Sequence, residues 1–385
     1  MCAGLLGGVG GDEGAGAAPQ GNHRPVKRLT LLAALLAASA CATAASGIRA
    51  EAYGVTQSGQ PVQKVTLENA RGMRLAYIDY GATLIQAQVA GRNVILSLPD
   101  LAAFERTRGR YGAIIGRYAG RIANARYTLD GKTVQLVPNN RGMAIHGDPA
   151  PYDKRVWRRE DFNEAESLGS IYRLHSPDGD QNFPGAMDIS VTYRLLRNSD
   201  EFRIEYEART SAPTVHNLTN HVYFNLAGAA ANTLEGHRFR IAADRYLETD
   251  AMRIPSGAML DVAGTPFDFR QAASVHDRLP SVPGGYDHSL VFSKPDGAYA
   301  PVATVWGGGL RMEVSTSEPS VQLYTVNGFN GGETGSEGVA YQRYGAFAFE
   351  TQHLPDSPNH ANFPGTALYP GQVYRSRTSF SFAAD

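Results

Sequence analysis

Cysteine is nearly missing from this 385-residue chain: only Cys2 and Cys41 occur, both close to the N-terminus. The body from Ala42 onward has none, which excludes a disulfide scaffold, a cysteine nucleophile and a cysteine-ligated zinc site there. Charge is sparse too. Charged residues make up 19% of the chain, the formal net charge is −1, and no basic cluster interleaves with aromatics. A nucleic-acid partner needs a basic face and is therefore excluded as the main one. Low charge together with 42 Gly and 21 Pro excludes a long coiled coil, and 43% hydrophobic residues exclude a disordered chain. The Gly-x-Ser-x-Gly and phosphate-loop patterns are absent. Residues 112–120 (GAIIGRYAG) are not a dinucleotide fingerprint, because no strand–helix–strand pattern surrounds them.

What is present begins with a leader. Residues 1–25 are Gly/Ala-rich and aperiodic, and read as disordered or as an over-extended start. Lys27 and Arg28 then precede LTLLAALLAASACATAA, an apolar stretch of about 15 residues ending in small side chains, the layout of a secretory signal. Ala42-Thr43-Ala44 fits cleavage before Ala45, while Ala38-Ser39-Ala40-Cys41 is similar to a lipoprotein site that leaves a lipidated Cys41. The expectation is a periplasmic or secreted protein, with a lipid anchor at Cys41 as the alternative. After the leader no apolar run reaches the ~18 residues of a membrane span.

In the body, apolar and polar residues alternate with period two. Phe202, Ile204, Tyr206 and Ala208 alternate with Arg203, Glu205, Glu207 and Arg209, which predicts a strand with one buried and one wet face. Residues 191–196 form the preceding strand, joined through the turn cluster Arg197-Asn198-Ser199-Asp200. Leu310, Met312 and Val314 mark another strand, and Tyr374, Ser376, Thr378 and Phe380 a last one. Val89 and the run 94–98 flank Ala90-Gly91-Arg92-Asn93, a predicted hairpin. Helix is expected only over 101–106 and 270–279. Many strands with polar turns at short spacing predict an all-β sandwich or barrel.

For chemistry, the ten histidines come first, being the side chains poised nearest neutral pH. His146, His221 and His288 lie in polar, turn-rich surroundings; most histidines in such places are structural hydrogen-bonders. His216 and His221 are five apart, a weak zinc pattern with no supporting motif. Glu350 stands in Phe347-Ala348-Phe349-Glu350, where strand alternation sets it on the Ala348 side, away from the two phenylalanines. Partial desolvation there raises a carboxyl's pKa and suits a general base; a solvent-facing Glu is the plainer alternative.

Taken together, the segments resemble the aldose 1-epimerases, also called galactose mutarotases, over roughly residues 50–383. The resemblance rests on Gly116-Arg117-Tyr118-Ala119-Gly120-Arg121-Ile122, Leu129-Asp130-Gly131, Ile145-His146-Gly147, Asp178-Gly179-Asp180-Gln181-Asn182-Phe183-Pro184-Gly185 and Thr219-Asn220-His221-Val222-Tyr223-Phe224. It continues through Gly264-Thr265-Pro266-Phe267-Asp268, Tyr286-Asp287-His288, Gln322-Leu323-Tyr324, Phe349-Glu350-Thr351-Gln352 and Leu354-Pro355-Asp356. It implies a large twisted antiparallel β-sandwich with an open sugar cleft. It implies Glu350 as the base that takes the proton of the anomeric O1 hydroxyl and His221 as the acid that protonates the ring oxygen. Arg121, His146, Asp287 and Gln322 match residues that hold the sugar, and Tyr223 and Phe183 are aromatics for its apolar face. The chemistry needs no metal and no cofactor, and a monomer or weak dimer is expected. Proximity of His221 and Glu350 is expected to favour both charged forms.

Three positions depart from the family pattern: Gly120 where many members carry Asn, Asp148 in place of a Gly, and Val326 in place of another Gly. They bear on which sugar is preferred. Two alternatives accompany the epimerase reading. One is a hexose-phosphate 1-epimerase, which needs added cations at one end of the cleft. The other is a non-catalytic sugar-binding protein on the same fold, which has no need for both His221 and Glu350.

Overall fold

The computed structural model describes residues 47–385. The leader, its cleavage sites and both cysteines lie outside the described residues. Every strand pairing between named strands is antiparallel, and three sheets dominate. A five-stranded meander runs from Gly47–Val55 to Arg92–Asn93 in sequence order. A nine-stranded sheet carries Met187–Leu196, Glu201–Thr210, Tyr374–Ala384 and Leu310–Thr316 side by side at its centre. A six-stranded sheet is ordered Tyr223–Phe224, Phe347–Gln352, Ser320–Tyr324, Asp287–Phe292, Ala243–Thr249, Pro255–Asp261.

The alternation read from the sequence sets these faces. In Glu201–Thr210, Phe202, Ile204, Tyr206 and Ala208 are buried, and their Arg and Glu neighbours are only partly covered. Those neighbours pair across the wet face, as in Arg203–Glu201 and Arg194–Glu205. Such pairs contribute at most ~1 kcal/mol each. The buried face matters more, at about 1.5–3 kcal/mol per large apolar side chain. One continuous core joins all three sheets, with Tyr77 and Leu84 from the first, Tyr193, Phe202 and Phe380 from the second, and Leu323, Phe347 and Phe349 from the third.

Helix is scarce, as expected. Leu101–Arg106 forms where anticipated, its first turn capped by Asp100, whose carboxylate accepts from the Ala103 amide at 2.8 Å. The helix expected over 270–279 is shorter. Ala273–Ser274 is drawn into the nine-stranded sheet against Arg238–Ile241, and only Val275–Arg278 remains α-helical. The hairpin after Val89 turns through Ala90 and Gly91, both at positive φ, but its return strand is only Arg92–Asn93. The run beyond it is a buried extended segment between sheets: the Val94 amide donates to Ala87 and the Leu96 amide to Tyr223.

Candidate active site

The strand Phe347–Gln352 is buried on both faces. Phe347 and Phe349 enter the main core, while Ala348 packs in a second cluster with Tyr223, Tyr111 and Tyr341. Glu350 and Gln352 continue the Ala348 face, and that face floors an open cleft of about 870 Å³. Register does the rest. Gln322 lies opposite Glu350, Ser289 opposite Gln322, and Asp287 opposite Tyr324. Opposed residues of antiparallel strands share a face, so three strands deliver Glu350, Gln322, Tyr324 and Asp287 to one surface.

His221 comes from the segment between Thr219–Asn220 and Tyr223–Phe224. Its backbone is clamped on both sides: its amide donates to Ala113, and its carbonyl accepts from Gly112, each at 2.9 Å. Asn220 adds a buttress, donating to the Gly112 carbonyl and to the Tyr193 hydroxyl. Thr219 ties the segment to the Glu350 strand through the Thr351 carbonyl at 2.9 Å. His221 Nε2 consequently stands 3.4 Å from Glu350 Oε1, with both side chains under a tenth exposed. The His221 ring also meets the rings of Tyr223 at 4.9 Å and His146 at 5.6 Å.

His146 follows the short strand Ala144–Ile145, which pairs with Arg121–Ile122, so one small ladder positions both His146 and Arg121. The Gly120 amide donates to His146 Nδ1 at 3.3 Å. The next residue, Gly147, sits at φ +77, and a Cβ there would lie 2.1 Å from the Gly116 carbonyl oxygen, so only glycine fits. Arg121 donates to Asp287 at 3.0 Å, Gln322 donates to the other oxygen of Asp287 at 2.6 Å, and Ser289 donates to Gln322 at 2.5 Å. All seven residues expected at the site, Arg121, His146, His221, Tyr223, Asp287, Gln322 and Glu350, line this one cleft.

Phe183 does not. It is buried against Tyr127, with the Arg117 guanidinium over its ring, and is a packing residue rather than a sugar platform. Arg117 itself is fully buried and spends its donors on the Pro184 and Gly185 carbonyls and the Ser176 hydroxyl. Of the two arginines in Gly116-Arg117-Tyr118-Ala119-Gly120-Arg121, the first is a strut and the second faces the cleft. The weak zinc pattern of His216 with His221 also dissolves, because the His216 ring packs 4.2 Å from Tyr374. Among the described residues, His221 instead shares a potential donor cluster with His146 and Glu350.

Arg110 is a cleft residue that sequence reasoning missed. It donates to Asp153 at 2.6 Å and to Asp148 at 2.9 Å, so the departure Asp148 has a function as its partner. Val326, the other departure, is buried at φ +43.

Electrostatics correct one expectation. Burial raises the Glu350 carboxyl well above the ordinary range, Asp287 adds to the effect, and Arg121 opposes it. Burial and the nearby Arg110 lower His221 to about 3. Both charged forms are therefore disfavoured, contrary to what proximity alone implied. Burial thus favours a neutral imidazole facing a protonated carboxyl at 3.4 Å, so that the two groups hold one proton between them. Asp287 differs: burial works against its charge, but Arg121, Gln322 and Arg253 outweigh it and hold it below the usual range. Burial and His221 keep His146 neutral as well.

The profile of the aldose 1-epimerase family matches residues 63–381. The chain is 36% identical over 349 residues to the aldose 1-epimerase of Escherichia coli strain K12, covering 87% of this chain and 99% of that one. The chain belongs to the aldose 1-epimerase family. It is also 34% identical to the human galactose mutarotase, over 88% of this chain and 99% of that one. Among solved structures, the galactose 1-epimerase of Lactobacillus acidophilus NCFM superposes with a TM-score of 0.80 at 27% identity, covering 88% and 99% of the two chains. An aldose epimerase homologue from C. elegans gives 0.74 at 26% identity over the same shares. The all-β sandwich expected from the alternating strands and the family fold implied by the resemblance are both found, and the protein is an isomerase of this family.

Proposed function

We propose that the cleft interconverts the α and β anomers of free aldohexoses such as glucose and galactose, with Glu350 and His221 moving the two protons. The observation that carries this is their face-to-face placement at 3.4 Å in a largely buried site. Ring opening requires loss of the O1 proton and gain of a proton at the ring oxygen. Transfer of the shared proton from Glu350 to His221 readies the pair: the carboxylate then takes the O1 proton as the imidazolium gives its own to the ring oxygen. The aldehyde turns about C1–C2, and closure in reverse produces the other anomer and restores both groups. Each group contributes on the order of 10²–10⁴-fold. Arg121, Asp287, Gln322 and His146 supply the donors and acceptors for sugar oxygens, and Tyr223 an apolar wall.

Besides Arg121, the cleft is lined by Arg108, Arg110, Lys154 and Arg155; Arg108 is exposed and the other three are engaged. Arg110 is neutralised by Asp148 and Asp153, Arg155 pairs with Asp180, and Lys154 donates to the carbonyls of Phe104 and Thr107. One exposed arginine rather than a cluster of uncommitted cations lines the cleft, which supports a neutral sugar over a phosphorylated one. Polarimetry of freshly dissolved α-anomers of several aldoses tests the reading. Acceleration by wild type and not by Glu350→Gln is expected, whereas an equally active Glu350→Gln leaves a sugar-binding sandwich. Export is part of the same proposal, supported by the leader's basic–apolar–small layout. Mass spectrometry of the protein from its host is expected to find an N-terminus near Ala45 or an acylated Cys41, and an intact Met1 sinks it.

A further inference from the structure

We propose that His146, His221 and Glu350 form a reversible binding site for a divalent transition-metal ion of borderline softness, foremost Zn²⁺, whose occupancy closes the sugar site. One donor atom from each residue lies within 4.8 Å of the other two. His221 Nε2 and Glu350 Oε1 are 3.4 Å apart, and a tetrahedral zinc centre with bonds of ~2.0–2.1 Å separates its ligands by about 3.3 Å. Two of the three donors are therefore already at ligand spacing. His146, whose donor lies within 4.8 Å of the other two, supplies the third by closing up to about 1.5 Å, a side-chain rotation. It follows a two-residue strand, is only partly buried, and accepts at Nδ1 only a long 3.3 Å bond from the Gly120 amide.

Two imidazoles and one carboxylate suit zinc, cobalt and their neighbours rather than magnesium or calcium, which prefer all-oxygen shells. Three protein ligands leave a fourth position open toward the cleft. The second sphere is what makes the site transient. A histidine in a resident metal centre donates its other ring nitrogen to a carboxylate or carbonyl, whereas His221 Nδ1 is buried without a hydrogen-bond partner. The ion thus visits a site not built to retain it. While there, it takes the lone pairs through which His221 and Glu350 would meet a sugar. Metal binding rests on the donor geometry alone; the block on turnover rests on the catalytic reading above.

The test uses the full-length protein, stripped with a chelator and titrated with Co²⁺ while its visible ligand-field bands are followed. One equivalent is expected to give pseudo-tetrahedral bands, and galactose to raise the Co²⁺ concentration needed. Zn²⁺ is expected to abolish mutarotation in step with occupancy, and chelator to restore it. His146→Ala, checked for folding by circular dichroism, is expected to lose the bands. Three results overturn the proposal: no bands in wild type, bands undiminished in folded His146→Ala, or full turnover at full occupancy. A stripped protein that binds Co²⁺ and releases it to galactose, yet never mutarotates, keeps the metal site and sinks the catalytic reading instead.

Discussion

Two histidine–glutamate pairs lie within a few residues of each other, and they rest in opposite states. His221 faces Glu350 at 3.4 Å; His353, just beyond the same strand, binds Glu318 at 2.7 Å. Both glutamate side chains are 3% exposed, so depth alone cannot separate them. Partners do. Burial works against the charge on Glu318, but His353, Ser376 and Tyr374 overcome it and hold the carboxyl down to about 2. The Tyr374 hydroxyl donates to Glu318 at 2.7 Å. Burial likewise opposes the charge on His353, and Glu318 overcomes that and raises its pKa. Among the described residues Glu350 has no comparable hydrogen bond, and burial wins there. A buried pair whose charges are met by hydrogen bonds holds as an ion pair; one left short of partners is driven toward its neutral forms.

Glu350→Gln breaks the contrast most. It is expected to lower kcat at least ~10²-fold with little change in Tm. His221→Asn should act similarly, and the double variant should lose less than the sum of the two in free energy. Polarimetry with calorimetry checks all three, and a Glu350→Gln protein that loses stability but not rate would invert the assignment. Glu318→Gln is the mirror image. It removes one partner of the locked pair and is expected to cost roughly 3 kcal/mol of stability in urea titrations, with kcat of the folded enzyme close to wild type. Next come the sugar-holding residues: Arg121→Ala and Asp287→Asn each remove a charged hydrogen-bonding group and should lower kcat/KM about 10–100-fold. Wild-type kcat/KM for every aldose tested would remove them from the site.

The pH dependences sharpen the contrast with smaller effects. Glu318 has a folded pKa depressed from 4.5 to about 2, so its contribution to stability is full above 4.5 and is lost as pH falls toward 2. His353 has a folded pKa raised above 6.5, so its contribution is full below 6.5 and is lost as pH rises through the folded value. This pair therefore stabilises most between 4.5 and 6.5, and the corresponding component of Tm against pH should vanish in Glu318→Gln. The pair proposed for catalysis behaves differently. With His221 lowered to about 3, kcat should not fall as pH drops through 6.5, but only nearer 3, where the pair takes a second proton. On the alkaline side it falls once the shared proton leaves. An acid limb centred near 6.5 would mean that His221 titrates like an exposed imidazole.

Strands such as Glu201–Thr210 were legible because they have one buried face, and alternation is the direct imprint of that. The same rule set Glu350 opposite to Phe347 and Phe349. Where burial is two-sided or supplied by distant loops, the imprint fades. The run at 94–98 looked like a strand, yet it bridges sheets through scattered bonds to Ala87 and Tyr223. Phe183 looked like a sugar platform because nothing local reveals that Tyr127 and Arg117 enclose it. Arg110 left no signal, since its partners Asp148 and Asp153 arrive from a loop some forty residues on. The residues proposed to hold the sugar were picked out through whole motifs resembling a family, not through spacing. The raised Glu350 carboxyl was legible in the strand alternation, but the charge state of His221 was misjudged, because its desolvation by distant segments leaves no local signal.

The register of Gln322 opposite Glu350 has a consequence for quality control. A slip of Phe347–Gln352 by one residue would turn Glu350 and Gln352 into the aromatic core and swing Phe347 and Phe349 out into the cleft. Such a molecule would bury a carboxylate without partners and expose two phenylalanine rings, so it should neither persist nor turn over substrate. Correct threading of this strand is therefore a condition of persistence and of turnover alike, so the molecules that survive purification are those with Glu350 facing the cleft.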